Sequence, residues 1–229
     1  MEKLLKKKKS SGDGKYHLMN FPRNWVHQAL SYMDKGELIF RLVLEMGLAV
    51  FFYFGVRILG PDITVYAGLL IAFISAHTVN WLFNGNFWAL YLFAIPHSTN
   101  RGKAATEKYL DAMARRLRMS RCIGGLALYG SAARGTWHSK SDLDIRVIRE
   151  EGFLNLLCAN VLVMRERIIA FLMRQPADLF LADGVEFLRK MREDEQPIFL
   201  IKKNSALERE YPDNREIAGI ALNYQEKGK

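Results

Sequence analysis

The sequence predicts an α/β (α+β) chain, a small mixed sheet flanked by helices, preceded by a helical hairpin of membrane-spanning length. Three observations predict it. Residues 63–100 contain no Asp, Glu, Lys or Arg, a longer uncharged run than a soluble core helix uses. After it come short apolar or alternating segments separated by a long helical pattern, the signature of strands joined through a helix. One of those strands runs into Gly130-Ser131, and the next, ten residues on, carries Asp142 and Asp144.

At 229 residues the chain has room for one well-cored domain and an appendage. Its net charge of +9 is placed in two groups, Lys3 and Lys6 to Lys9, then Arg101, Lys103, Lys108, Arg115, Arg116, Arg118 and Arg121, which bracket the apolar region. Bracketing suits a membrane surface. Nucleic acid is not the expected partner, because neither basic run carries a nucleic-acid motif or interleaved aromatics.

Taken in order, residues 1–37 read as a basic cytoplasmic N-terminal segment. Residues 38–96 read as the hairpin, with spans at 38–60 and 63–83, each near the ~20 apolar residues that a bilayer core requires. Gly60-Pro61-Asp62 is the turn between them. Residues 87–95 are too short to span, and Trp88 and Tyr91, beside Trp81, suit an interfacial position. Arg41, Glu45 and Arg57 lie near span ends, and Arg41 and Glu45 are one turn apart and could pair. His77 and Asn80 hydrogen-bond across the hairpin or mark an intramembrane site. The positive-inside rule puts both basic flanks, and so both termini, in the cytoplasm of a two-span membrane protein. The mostly polar residues ahead of the first span argue against a cleaved signal peptide. The competing reading is a soluble hairpin docked by its apolar face. Cys122 and Cys158 read as separate buried thiols on a reducing side.

The second half starts with a helix over 104–119, Leu110, Met113 and Leu117 on its inner face. Residues 124–129 form an apolar strand that ends in Gly130-Ser131 and opens a short helix, so backbone amides and the helix dipole offer a phosphate seat. Residues 141–148 alternate as a half-buried strand, which projects Asp142 and Asp144 to one face. Paired carboxylates of this kind suit Mg²⁺, which binds through one or two carboxylates plus substrate phosphates. Residues 153–174 read as a helix with Leu156, Leu157, Val161, Met164, Ile168 and Phe171 inward. The strand at 177–181 then returns beside the first two and brings a third acid, Asp178. Asp183 is the alternative, with helix N-capping as its other role. In the intervening loop Arg134 and Lys140 could touch the β- and γ-phosphates, Trp137 could stack on a base, and His138 could carry a proton; otherwise the loop is simply solvated. Arg146 can neutralise the carboxylates. Residues 185–195 read as an amphipathic helix, 197–201 as a last strand, and 204–229 as a polar tail after a domain at 101–203.

Gly130-Ser131, then Asp142-Leu143-Asp144, a helix and a strand bearing Asp178 together resemble the minimal nucleotidyltransferases of the DNA polymerase β superfamily, over roughly residues 117–202. The resemblance implies Gly130 and Ser131 as triphosphate binders, Asp142 and Asp144 as ligands of two Mg²⁺ ions, and Asp178 as the third catalytic acid and metal ligand. It implies transfer of a nucleoside monophosphate from a nucleoside triphosphate, ATP first among them, to an acceptor hydroxyl, with pyrophosphate released. The hairpin turns the expected acceptor toward the membrane, as a lipid or glycan headgroup or a protein. A non-catalytic nucleotide-binding sensor or scaffold at the membrane is the alternative.

Overall fold

The computed structural model describes residues 20–27, 33–84, 99–188, 196–214 and 222. In chain order they form α1 (Asn20–His27), α2 (Lys35–Leu59), α3 (Val65–Asn84), α4 (Lys103–Arg118), β1 (Ile123–Tyr129), α5 (Gly130–Ala133), β2 (Leu143–Arg149), α6 (Phe153–Leu172), β3 (Ala177–Ala182), α7 (Val185–Leu188), β4 (Ile198–Lys202) and α8 (Ser205–Glu210). The amino-terminal lysines, the interfacial segment at 87–95 and the end of the helix expected over 185–195 lie outside the described residues.

The sheet is mixed, in the order β3-β2-β1-β4. β1 pairs antiparallel with both β2 and β4. β2 and β3 are parallel, joined through α6, which is the crossover that a parallel pair requires. One face buries Leu126, Leu128, Leu143, Ile145, Val147, Leu179 and Leu181 against α4 and α6. The other face carries Ala127, Tyr129, Ile148, Ala182 and Phe199, closed at one end by Leu188 and Leu207.

α2 and α3 are each long and apolar enough to cross a bilayer. Their burial is inverted relative to a soluble helix. The buried residues of α2 are Gly36, Glu37 and Arg41, while Val43, Met46, Phe51, Phe54 and Ile58 are all more than half exposed. In α3 a stripe of Gly68, Ala72, Ala76, Asn80 and Asn84 is buried, the small-residue spacing that lets two helices approach closely. Tyr53 of α2 lies over Gly68.

The polar groups of the hairpin are partnered differently from expectation. Arg41 pairs with Glu37, one turn before it rather than after. Glu45 instead accepts from Asn80 Nδ2 at 2.7 Å and meets His77 Nδ1 at 2.7 Å. His77 and Asn80 therefore do bridge the hairpin. The choice between two i,i+4 partners for Arg41 was made by tertiary packing, because Glu37 also receives Arg167 of α6.

Three further expectations are corrected. Cys122 and Cys158 are not separate buried thiols; they pair as a disulfide with Cα atoms 6.2 Å apart, which joins α6 to the residue before β1, and Cys158 lies on the exposed side of α6. The inward face of α6 is Ala159, Asn160, Val163, Glu166, Arg167 and Ala170, whereas Leu157 and Val161 are exposed. Glu166 is tolerated there because Arg116 binds it through two nitrogens, and buried charge must be paired. Finally, the chain beyond 204 is not uniformly a polar tail. Asn204 caps α8 by accepting from Ala206 N at 2.8 Å, and Leu207 is fully buried against Gly125.

Candidate active site

The sheet register brings the acids together. Asp144 stands opposite Tyr129 of β1 on one side and opposite Asp178 of β3 on the other. Side chains directly opposite on neighbouring strands share a face, so Asp144 and Asp178 are neighbours. Asp142 precedes β2 by one residue and is held by its backbone, whose carbonyl accepts from Trp137 Nε1 at 3.2 Å.

β1 ends at the same place, where the chain turns sharply through Gly130 at φ 65°. A side chain there is excluded twice. The positive φ favours glycine, and a Cβ would stand 1.8 Å from Asp144 Oδ2. Gly130→Ala is therefore expected to displace Asp144 and lower activity by about 10²-fold, the scale of a misplacement of about 1 Å at a reacting centre, with the far-ultraviolet circular dichroism unchanged.

All three acids are partly exposed, so a ligand can reach them. Their surroundings nevertheless penalise charge. Burial, followed by repulsion from Asp144, pushes the Asp142 carboxyl up to about 6. Asp144 is raised by burial, against the attraction of Arg146 and Arg134. Asp178 is pushed up to about 8, chiefly by burial, with Arg146 opposing and Asp142 and Asp144 adding to the rise. Arg146 lies beneath the acids, buried, its guanidinium 4.7 Å from the centre of the Phe180 ring.

A carboxyl whose folded pKa exceeds its unfolded value keeps its proton in the folded state, so stability falls as pH rises between the two values. For Asp178 that window runs from 3.8 to about 8. In the absence of divalent cations the thermal midpoint is expected to fall from pH 5 to pH 8, and Asp178→Asn to be flatter across this window and more stable than the parent at pH 8. A midpoint that rises with pH would contradict the assignment.

The other residues singled out by sequence divide. Ser131 follows Gly130 in α5, and its carbonyl accepts from Thr136 N at 2.9 Å. Arg134 and Lys140 are exposed on the loop between α5 and β2, where Arg134 is close enough for its charge to act on Asp144. Trp137 is no base-stacking platform, because its ring is fully buried in the core. His138 is tied into the loop, its Nδ1 accepting from Lys140 N at 3.1 Å and its carbonyl from Asn100. Asp183 sits at the far end of β3, paired with Arg149 at 2.7 Å and accepting from Gly36 N at 3.0 Å. It ties the hairpin to the sheet. A cavity of about 680 Å³ opens beside it, lined by Asp34, Asp183 and Glu186 among others, and includes none of the three acids.

Among the described residues no group of three or more His, Cys, Asp or Glu side chains is placed to hold a metal ion. A pair of carboxylates with a third on the next strand is an open set. That donor set fits a hard cation that keeps water and takes its remaining ligands from phosphates.

Residues 107–212 match the model of the nucleotidyltransferase domain family. The matched segment, under half of the chain, holds the mixed sheet and flanking helices of a polymerase β-like fold. None of the curated proteins matches the chain. A domain of this family implies nucleoside monophosphate transfer in general and a nucleoside triphosphate as substrate.

Proposed function

We propose that the protein is a membrane-anchored nucleotidyltransferase that moves a nucleoside monophosphate, with ATP the expected donor, to an acceptor hydroxyl and releases pyrophosphate. The observation that carries this reading is the adjacency of Asp142, Asp144 and Asp178 beside the Cβ-excluding Gly130, inside the matched segment. Gly130 and Ser131 seat the triphosphate, and the exposed Arg134 and Lys140 close over its outer phosphates. Asp142 and Asp144 would hold Mg²⁺, with Asp178 sharing a second ion; bound there, the ions supply positive charge that lets the carboxylates ionise and offsets charge at the attacking and leaving oxygens. Asp178 orients the acceptor hydroxyl and takes its proton as that oxygen attacks the α-phosphorus.

Anchoring is supported by the inverted hairpin. An apolar surface of that extent on a water-soluble monomer would be an aggregation site, whereas two helices with apolar exteriors and mutually satisfied polar interiors suit lipid. With two spans both basic flanks fall on the cytoplasmic side, where nucleotide is found.

The experiment is transfer of label from each α-³²P nucleoside triphosphate into the lipid, glycan and protein fractions of native membranes containing the full chain, against its Asp142→Asn/Asp144→Asn variant. Label that enters one fraction only with the parent supports the reading. Equal label in both, while nucleotide still binds, favours the sensor or scaffold.

A further inference from the structure

The hairpin is joined to the sheet along the open edge of β3, the strand of Asp178. Asp34 Oδ2 accepts from Asp183 N at 2.9 Å, and Glu37 Oε2 accepts from Leu181 N at 2.7 Å. Arg41, one turn further along α2, is close enough to Asp178 for their charges to interact. As the helix number rises from 34 to 41 the strand number falls from 183 to 178. α2 therefore runs antiparallel to β3 and leaves the domain at the end where the acids lie.

The bilayer boundary can be placed on the same scale. Counting ~20 residues back from Leu59, the length needed to cross a ~30 Å hydrocarbon core, puts it near Phe40; the same count forward from Val65 reaches Asn84. At that level Glu37, Arg41, Asn84 and Arg167 form one buried polar cluster. Glu37 receives both guanidiniums, and Arg167 Nη1 donates to Asn84 Oδ1 at 3.1 Å. The cluster is the height of Asp178. With α2 and α3 spanning the bilayer as proposed above, Asp178 lies at the level of the headgroup layer.

Arg41 is the member of this cluster with capacity to spare. It is 3 % exposed, Nη2 donates to Glu37, and Nε and Nη1 have no hydrogen-bond partner among the described residues. Buried donors left unmade are costly, and a guanidinium edge matches a phosphate bidentately.

Resting on the transferase reading above, we propose that the acceptor is a bilayer phospholipid with a hydroxyl in its headgroup, its phosphodiester received by Arg41 and its hydroxyl by Asp178. The hydroxyl gives its proton to Asp178 and its lone pair to the α-phosphorus of the nucleotide. The bond from that phosphorus to the bridging oxygen breaks, pyrophosphate leaves with the electron pair, and the lipid keeps the nucleoside monophosphate.

The test uses the full chain in vesicles of phosphatidylcholine alone, of phosphatidylcholine with phosphatidylglycerol, and of phosphatidylcholine with a monoglycosyl diacylglycerol. A fourth arm supplies water-soluble glycerophosphoglycerol. Chloroform-extractable label from α-³²P nucleotide is expected with phosphatidylglycerol alone, because phosphatidylcholine lacks the hydroxyl and the glycolipid lacks the phosphate. Arg41→Gln is expected to raise the KM for phosphatidylglycerol about tenfold or more, the scale of a lost charge-assisted hydrogen bond, with the KM for nucleotide nearly unchanged, and Arg41→Lys to fall between. Equal use of the glycolipid, or of soluble glycerophosphoglycerol, with the lipid KM of Arg41→Gln unaltered, would overturn the proposal. Asp142-dependent label found only in protein would overturn it too while leaving the transferase standing. No Asp142-dependent label or pyrophosphate from any acceptor would remove the transferase reading and the proposal with it.

Discussion

Asp144→Asn is expected to lower nucleotidyl transfer by about 10³-fold or more, the scale at which a member of a cooperating catalytic set is lost. The substitution keeps the shape of the side chain and the approach of Gly130, and removes only the charge. Asp144 stands between Tyr129 and Asp178 in the sheet, next to Asp142, so its loss breaks both the carboxylate pair proposed to hold cations and its link to Asp178. Asp178→Asn is expected to act on the same scale, and Asp183→Asn to change activity only a few-fold, because Asp183 pairs with Arg149 at the opposite end of the strand. Initial rates for the three variants, measured at one saturating nucleotide concentration, separate the two candidates for the third acid. A larger loss in Asp183→Asn than in Asp178→Asn would reverse their roles.

The second large effect falls far from Asp144. Glu37→Ala is expected to destabilise the detergent-solubilised protein by about 3–5 kcal/mol, since it leaves buried guanidiniums uncompensated. At this chain length that is a fall in thermal midpoint of roughly 6–20 °C. Glu37 is fully buried and accepts from Arg41, Arg167 and Leu181 N, so three donors lose their acceptor at once. Glu37→Gln keeps one acceptor oxygen and is expected to cost less. If Glu37→Ala unfolded within a degree or two of the parent, the hairpin would be an attachment to the sheet rather than a part of it.

Much of this was legible because the informative patterns are local. The two long apolar helices expected at 38–60 and 63–83 needed only the uncharged run and a turn, and the helices are Lys35–Leu59 and Val65–Asn84. Asp142 and Asp144 needed only the two-residue period of a strand, and Asp178 needed the crossover rule that lays β3 parallel to β2. What stayed hidden is what tertiary packing decides. Arg41 has a carboxylate one turn away on both sides, and only the arrival of Arg167, distant in sequence, selects Glu37. Arg167 itself could have been suspected, as a charge in an otherwise apolar stretch of α6. That helix is apolar over most of its circumference, so its period defines no single inner face, and the face chosen is the one that pairs Glu166 and Arg167. Trp137 was misread because loop position says little about burial; here the ring anchors the loop to the core and its Nε1–H fixes Asp142.

The most direct test of the central claim is the inorganic product released by the full chain in native membranes with unlabelled nucleotide. Nucleotidyl transfer requires pyrophosphate, formed in equal amount to the nucleoside monophosphate gained by the acceptor and lost in Asp142→Asn/Asp144→Asn. Orthophosphate released without pyrophosphate would mean attack at the γ-phosphorus, and would contradict the assignment of Asp142, Asp144 and Asp178 to transfer at the α-phosphorus.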